Sequence, residues 1–422
     1  MRAAEEDETE GGESSSHQER VLDLRDLYFP LFLRAGDMPS TFSVVQPSAS
    51  LSVGVGSNRV RLLRDGVAAF PVMLGAIAEA RQEVLLEMYW IGADRVGGSF
   101  RAALVERALA GVRVRVLFDP IGSLETPASF WSPLLEAGAE VDQYSPISPF
   151  KRRFRLRRIA HRDHRKLLVV DAEVAVLGGI NLGEPWAPPD FPEAAWRDDD
   201  IEIRGPAARV LRTAFYDVWR RAGRKVQAGA LAVPSREEEA QGVQVLTNRI
   251  EQRPNQVIAR AYLSAVRHAT SSIDITSAYF LPGLRFLRAL RRAARRGVRV
   301  RLLVPEHSDV LMVALAMNSL YGRLLADGAE VFAYEPRVLH AKTATFDDRF
   351  TMIGSHNLDN LSWRFNLECN VMVESAEFTS VVRESFERDL RDANKLDLHA
   401  WRSRPAWLRL VGWFAALFQR FL

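Results

Sequence analysis

The same eight-residue pattern occurs twice in this chain, and that repeat restricts its fold more than any other feature. Residues 164–171 (HRKLLVVD) and 340–347 (HAKTATFD) share one skeleton: His, one spacer, Lys, four spacers, Asp. The residues downstream of each copy repeat as well. Gly178-Gly179-Ile180-Asn181 answers to Gly354-Ser355-His356-Asn357 at the same offset of 176 (340 − 164 and 357 − 181). Lysine is scarce: only Lys151, Lys166, Lys225, Lys342 and Lys395 stand among 56 basic residues, and two of the five complete the pattern. Residue frequencies place one such His-Lys-Asp match by chance in roughly 0.01 of chains of this composition. Two matches with matching Gly and Asn downstream mark a duplication.

The flanking sequence carries the duplication further. Residues 70–81 have helical spacing and lead into 83–90, an apolar run interrupted by Glu87. Next come a helix near 100–110, a strand over 112–118 with period-2 Arg and Val, a helix over 132–137 and a strand over 140–144. The second half repeats this order with helix 257–269, strand 272–279 and helix 284–296. Residues 297–304 (GVRVRLLV) then match 111–118 (GVRVRVLF), and 324–331 (LLADGAEV) match 134–141 (LLEAGAEV). Alternating strands and helices imply an α/β sheet in each copy. Two long copies are a duplicated domain, not a solenoid. The expected organisation is an acidic tail and connector over 1–57, a first domain over 58–222 and a linker over 223–245. A second domain over 246–395 and a C-terminal segment over 396–422 complete it.

Composition narrows the class. Hydrophobic content of 47% and charged content of 26% are those of a globular protein. The net charge of +3 hides an acidic start and a locally basic interior, which suits a polyanionic or anionic-surface partner. The single Cys369 excludes an intramolecular disulfide and a Cys-based zinc site. The Glu/Asp-rich start shows no secretory signal, and no run of about 18 apolar residues predicts a membrane-spanning helix.

The repeated residues suit phosphate chemistry. On a strand, His164 and Lys166 point to one face roughly 6–7 Å apart, as do His340 and Lys342. The return strand over 174–179 ends in two glycines, expected to let a ligand approach the backbone, and then Asn181, whose amide can donate to an anionic oxygen. Two half-sites of His, Lys and Asn facing each other make a pocket for one phosphate-like group. One histidine then attacks phosphorus and the other protonates the leaving oxygen. Aligning the halves adds a carboxylate to each, because 198–205 (DDDIEIRG) runs beside 368–375 (ECNVMVES). Asp198 also reads as a charged edge-strand residue; Glu368, between Leu367 and Cys369, does not read as surface. Asp171 and Asp347 complete the motif and enter the catalytic set, although their place at strand ends suits a hairpin hydrogen bond better than proton transfer. His161 and His356 have no metal-ligand partners at useful spacing. For Ser362 and Asn366, lining the pocket and capping a turn both stand.

The double His-x-Lys-x4-Asp motif with its trailing Gly-Gly/Ser-x-Asn resembles that of the phospholipase D superfamily over roughly residues 58–390. Residues 86–89 (LEMY), 278–283 (AYFLPG), 354–362 (GSHNLDNLS) and 366–368 (NLE) make it similar to the bacterial cardiolipin synthase branch, of the shorter type without N-terminal transmembrane helices. Leu361 departs from that branch, where an Arg often precedes the Ser. The resemblance implies two α-β-α domains, each a mixed sheet flanked by helices, packed pseudo-twofold around one shared active site. It implies a phosphodiester exchange through a phosphohistidine, with no metal and no other cofactor. His164 is then the nucleophile and His340 the acid and later base; Lys166, Lys342, Asn181 and Asn357 hold the phosphate. Glu368 orients His164 and Asp198 orients His340, crossing between the halves. The implied reaction moves a phosphatidyl group from one phosphatidylglycerol to another and releases glycerol, at the cytoplasmic face of a bacterial membrane.

Two stretches bear on the partner. Residues 151–158 (KRRFRLRR) form a basic loop with apolar teeth, and 406–422 (AWLRLVGWFAALFQRFL) an amphipathic segment about 25 Å long as a helix, short of the roughly 30 Å hydrocarbon core. Together they fit an anionic membrane surface, while residues 22–33 either dock on the fold or touch that surface. Hydrolysis of phospholipid is the alternative activity, and a nuclease tracking phosphates on its Arg-rich faces a more distant one. Nucleic acid is not the expected partner. Two complete motifs argue against a non-catalytic lipid-binding scaffold. Oligomeric state is not legible.

Overall fold

Each half of the chain builds one mixed sheet, because its apolar strands alternate with helices that cover them. A computed structural model describes residues 51–148, 161–189, 194–226, 242–248, 256–306 and 311–404. The stretches 22–33, 151–158 and 406–422 lie outside these. Among the described residues no helix is long and apolar enough to cross a membrane.

The first sheet contains β1 (Val53–Val55), β2 (Asn58–Arg64), β3 (Glu83–Met88), β4 (Arg113–Phe118), β5 (Glu140–Gln143), β6 (Lys166–Val170), β7 (Val174–Gly178) and β8 (Asp199–Arg204). Their spatial order is β1-β2-β8-β7-β6-β3-β4-β5. The second contains β9 (Val243–Thr247), β10 (Ser272–Ser277), β11 (Arg299–Pro305), β12 (Glu330–Tyr334), β13 (Lys342–Phe346), β14 (Phe350–Gly354), β15 (Cys369–Glu374) and β16 (Ala393–Lys395). Its order, read from the other edge, is β9-β15-β14-β13-β10-β11-β12-β16. The sheets match strand for strand from β2 and β9 onward; β1 and β16 are added at opposite edges. Within each, β3-β4-β5 and β10-β11-β12 pair parallel, and the other pairs are antiparallel.

Several elements differ from expectation, among them β9, most of which lies inside the expected linker. The first helix spans Asp65–Glu79, starting ahead of the expected 70–81, with Pro71 inside it. Gly66 permits this early start, since a Cβ there would collide with the Trp186 backbone. β1 lies within the expected connector. β8 is an interior strand, not an edge, although it carries Asp199, Asp200 and Glu202 buried.

The closing Asp of each motif sets register. Asp171 occupies a left-handed turn position (φ 51°) after β6, and its carboxylate accepts from the N–H groups of Arg81, Gln82 and Glu83, each at 2.8 Å. Asp347 (φ 51°) does the same for Thr270, Ser271 and Ser272. Both residues therefore pin a hairpin to the start of the neighbouring strand, at the end of their strand remote from the motif histidine. This is the hairpin hydrogen bonding that their strand-end places suit. Partial burial opposes ionisation of Asp347, but the backbone and hydroxyl donors of Ser271 and its neighbours hold its carboxyl at about 2. Asp347→Ala should lower stability at neutral pH by about 1–3 kcal/mol through the stranded N–H groups. Because the folded-state pKa is depressed, the ionic part of this stabilisation is present above the unfolded value and lost as pH falls through about 2. Urea titrations of both proteins at pH 7 and pH 2 test this; equal midpoints at pH 7 would refute the role.

The halves share a core. Leu167, Val169 and Ile201 of the first pack in one cluster with Ile353, Val371 and Phe378 of the second. Each such side chain contributes about 1.5–3 kcal/mol. Apolar burial therefore joins the halves.

Candidate active site

Lys166 pairs across the sheet with Met88, the last residue of β3, and Lys342 with Ser277, the last of β10. Each motif histidine thus stands just beyond the ends of the central strands of its sheet. Two short parallel bridges bring these ends together across the halves, Asp163 to Leu367 and Arg197 to Leu339. His164 N donates to the Leu367 carbonyl (3.0 Å) and His340 N to the Arg197 carbonyl (2.8 Å). The residue after each bridge partner is a carboxylate. Backbone pairing thereby sets Glu368 against His164 and Asp198 against His340.

The contacts are crossed. Nδ1 of His164 lies 3.1 and 3.3 Å from the two Glu368 oxygens, and Nδ1 of His340 lies 2.6 Å from Asp198 Oδ2. Both carboxylates are fully buried. Each is held in place by a further donor that the repeat does not reveal. Trp186 Nε1 donates to Asp198 Oδ2 (3.0 Å), and Ser355 Oγ donates to Glu368 Oε2 (2.5 Å). Ser355 stands where the first half has Gly179. A Cβ at Gly179 would run into the Asp198 carboxylate, and one at Gly354 into the backbone of Cys369. The glycines, expected to admit a ligand, instead admit the orienting carboxylate and its strand.

Tyr89 meets His164 edge-on (centroids 4.9 Å) and lies 5.0 Å from Lys166 Nζ, while Trp186 and Trp196 flank His340 at 5.4 and 5.7 Å. Both lysines are buried and turn back on the histidine carbonyls, Lys166 Nζ to His164 O at 2.7 Å and Lys342 Nζ to His340 O. The Asn181 Oδ1 accepts from Trp90 N (3.1 Å), which leaves its Nδ2 as the donor. Asn357 is buried with no hydrogen-bond partner for its Oδ1 among the described residues. His356 is buried beside Tyr262 and Trp363, and burial pushes it down to about 4, so it is a neutral ring. His161 approaches the Phe365 carbonyl at 3.3 Å, and Ser362 N caps on Asp359 (2.7 Å).

The electrostatics divide the two carboxylates. Burial raises Glu368, and Lys166 and Ser355 only partly offset it. Burial acts on Asp198 in the same sense, but Lys342 and His340 overcome it and hold its carboxyl below the usual range. Burial, then Lys166 and Lys342, push His164 well down, so its Nε2 carries a free lone pair at neutral pH. Lys342 and His340 of the second half act electrostatically on His164 of the first. Burial and Lys342 bring Lys166 down to about 7. Lys166 is therefore cationic below about 7 and loses its charge above it. A dialkyl phosphate, whose own charge is constant over this range, should bind with a Kd that rises roughly tenfold per pH unit above that point. Calorimetric titration from pH 6 to 9 measures this; a flat profile would exclude Lys166 as the phosphate cation.

Comparisons with known proteins place the chain in a family. A family described as "Cardiolipin synthase, PLD-like domain" matches residues 73–187 and 262–390. The chain is 32% identical over 375 residues to a cardiolipin synthase of Geobacillus thermodenitrificans (strain NG80-2), covering 87% of this chain and 74% of that one. It is 35% identical over 342 residues to cardiolipin synthase B of Escherichia coli (strain K12), covering 78% and 79%. In fold it is similar to the crystal structure of phosphatidylserine synthase from Haemophilus influenzae Rd KW20, with a TM-score of 0.68 over 86% of this chain and 95% of that one, at 13% identity.

Proposed function

The chain belongs to the cardiolipin synthase family of the phospholipase D superfamily and is a phosphatidyltransferase, and from that premise we propose that it makes cardiolipin from two phosphatidylglycerol molecules through a phosphohistidine. The crossed pairing of the two motif histidines, each with Nδ1 on a buried carboxylate of the other half, carries this reading. A histidine so held presents Nε2 to the shared space in a fixed tautomer. Two of them suffice for a two-step displacement at one phosphorus.

In the first step His164 Nε2 attacks the phosphorus of phosphatidylglycerol, a P–N bond forms and the P–O bond to the glycerol headgroup breaks. His340 passes its Nε2 proton to the departing oxygen, and glycerol leaves. The negative charge of the bound phosphodiester opposes the push of Lys342 and favours the imidazolium at His340 before this step. In the second step His340, now neutral, takes the proton from a headgroup hydroxyl of a second phosphatidylglycerol. That oxygen attacks phosphorus, the P–N bond breaks, and cardiolipin forms with His164 restored. Lys166, Lys342 and the Asn181 and Asn357 amides take up charge on the non-bridging oxygens. A histidine nucleophile with an acid–base partner completes this cycle with side chains alone.

The substrate places the enzyme at a lipid surface. We assign it to the periphery of the cytoplasmic face of a bacterial membrane, with the basic stretch 151–158 and the aromatic stretch 406–422 facing anionic lipid; both favour such a surface by their composition. Purified protein given phosphatidylglycerol labelled in phosphorus, in mixed micelles, tests the function. Labelled cardiolipin with one glycerol released per transfer is expected. Phosphatidic acid as the sole product would make the enzyme a hydrolase, and DNA cleavage without lipid turnover would refute the reading.

A further inference from the structure

Beside the half-site of His340 lies a buried ionic cluster that the chemistry above does not use. Arg197, 1% exposed, is its centre. Its guanidinium donates to the Asp198 carbonyl (2.6 Å), to Asp199 (2.9 Å), to Asp389 (3.0 Å) and to Ser385 Oγ (3.1 Å). Arg64 reaches the same Asp389 (2.5 Å) and Ser385 (2.7 Å). Asp65 grips Asp198 from the other side. Its N–H donates to the Asp198 carbonyl (2.8 Å), and its carboxylate accepts from the Asp198 N–H (3.1 Å) and from Arg337 (3.0 Å). Asp65 does this from a left-handed backbone position (φ 65°), which is unfavourable for a non-glycine residue and persists only where the surroundings impose it.

Three arginines (Arg64, Arg197, Arg337) thus meet three aspartates (Asp65, Asp199, Asp389), and the members come from both halves. Buried ion networks gain little stability over apolar packing, but they fix geometry, because breaking one leaves a buried charge unpaired. The geometry fixed here is the Asp198 main chain at both its N–H and its carbonyl. In the other half-site the residue before the orienting carboxylate is Leu367, which has no charge to offer. Asn248 N still donates to the Glu368 carbonyl there (3.3 Å), but among the described residues no arginine stands where Arg197 does.

We infer that Arg197 is a positioning residue, which ties the Asp389 helix of the second half to the Asp198 backbone of the first and so aligns Asp198 on His340 when the halves are joined. This rests on the reading of His340 as proton donor and adds to it the device that makes the two half-sites unequal. The contact read out is the His340–Asp198 hydrogen bond, whose short length should give a far-downfield imidazole N–H proton resonance, assigned by its absence in His340→Gln.

Arg197→Lys keeps a positive charge and loses the guanidinium fork. Its expected effect is a fall in kcat of about tenfold to a hundredfold, as for other displacements at a distance from the reacting atoms, with KM for phosphatidylglycerol within about twofold. The downfield resonance should move upfield or broaden. Asp389→Asn should shift both readouts in the same direction, and Arg349→Gln, at an exposed pair with Glu374, should move neither. Should Arg197→Lys fail to fold, Asp389→Asn carries the same measurement with Arg197 still in place. An unchanged resonance and kcat in both variants, with only the melting temperature lowered, would overturn the inference and leave the cluster a joint. The resonance needs no turnover, so it decides this point even if the substrate proves not to be phosphatidylglycerol.

Discussion

His164→Ala should abolish phosphatidyl transfer, with kcat reduced by roughly 10⁶-fold, the scale on which loss of a catalytic nucleophile is felt. The side chain is small to lose structurally. Glu368 keeps its Ser355 donor, and the backbone bridge from His164 N to Leu367 O does not depend on the ring. The loss should therefore be chemical, with the fold intact by circular dichroism. His340→Ala will also be inactive on phosphatidylglycerol, so inactivity alone does not tell nucleophile from acid. A phosphatidyl ester of p-nitrophenol does, because that leaving group departs without a proton. With it, His340→Ala should still release a burst of about one p-nitrophenolate per enzyme as the phosphohistidine forms and then stalls. His164→Ala should give no burst. The opposite pattern would exchange the two roles, and a fully active His164→Ala enzyme would remove histidine as nucleophile.

How much of this site the sequence discloses depends on how locally each contact is encoded. His164, Lys166 and Asn181 sit within one hairpin and repeat at a fixed offset, so they are visible as a motif. Asp198 and Glu368 are local to nothing they orient: each meets a histidine 142 or 204 residues away, and only the alignment of the halves exposes them. That alignment cannot supply Trp186, Ser355 or Arg197, because none has a like residue at the matching place of the other half. Ser355 faces Gly179, and Arg197 faces Leu367. Duplication reveals what the halves share and conceals what divides them.

The three consecutive aspartates at 198–200 leave Asp198 an edge-strand reading beside its orienting one, since such a run is normally solvated. Here Arg197 neutralises part of the run and is itself anchored on Asp389, 192 residues away, so the strand becomes interior. The glycines mislead in the same way. Sequence tells that a backbone position must be bare, and only the packed structure tells what comes close to it. The sheet order, by contrast, is open to reading as far as its parallel core, because β3-helix-β4 and β10-helix-β11 are local units. The edge strands β1 and β16, of three residues each, are too short to announce themselves, and most of β9 falls in a stretch that reads as linker.

Asp198→Asn should be the most damaging change that leaves every reacting atom in place, lowering kcat by about 10³–10⁴-fold. The carboxylate is a double acceptor: its Oδ2 receives both the Trp186 indole N–H (3.0 Å) and the His340 Nδ1–H (2.6 Å), and its Oδ1 receives the Asp199 N–H (2.9 Å). An amide has one acceptor oxygen for these three donors. Whichever way it turns, its NH2 faces a donor that must lose its partner or, at His340, reverse its tautomer. Lys342 drives the second outcome, since its Nζ already lies 2.9 Å from His340 Nδ1 and can donate there once the proton is gone. His340 then carries its one proton on Nε2 and cannot accept the proton of the attacking hydroxyl. The lost negative charge adds to this. The carboxyl of Asp198 is held below the usual range by Lys342 and His340 against the effect of burial, and by linkage the same attraction supports the imidazolium. In the Asn variant the alkaline limb of kcat should therefore move to lower pH as well as fall in height. Glu368→Gln should cost less, because the His164 contact is longer, Ser355 supplies a donor that an amide oxygen can keep, and His164 acts as a neutral ring. Comparing glycerol release by both variants across pH 5–9 tests the asymmetry. Equal losses, or an Asp198→Asn enzyme within about tenfold of the unaltered one, would mean that the two half-sites are interchangeable and that neither histidine is committed to the proton.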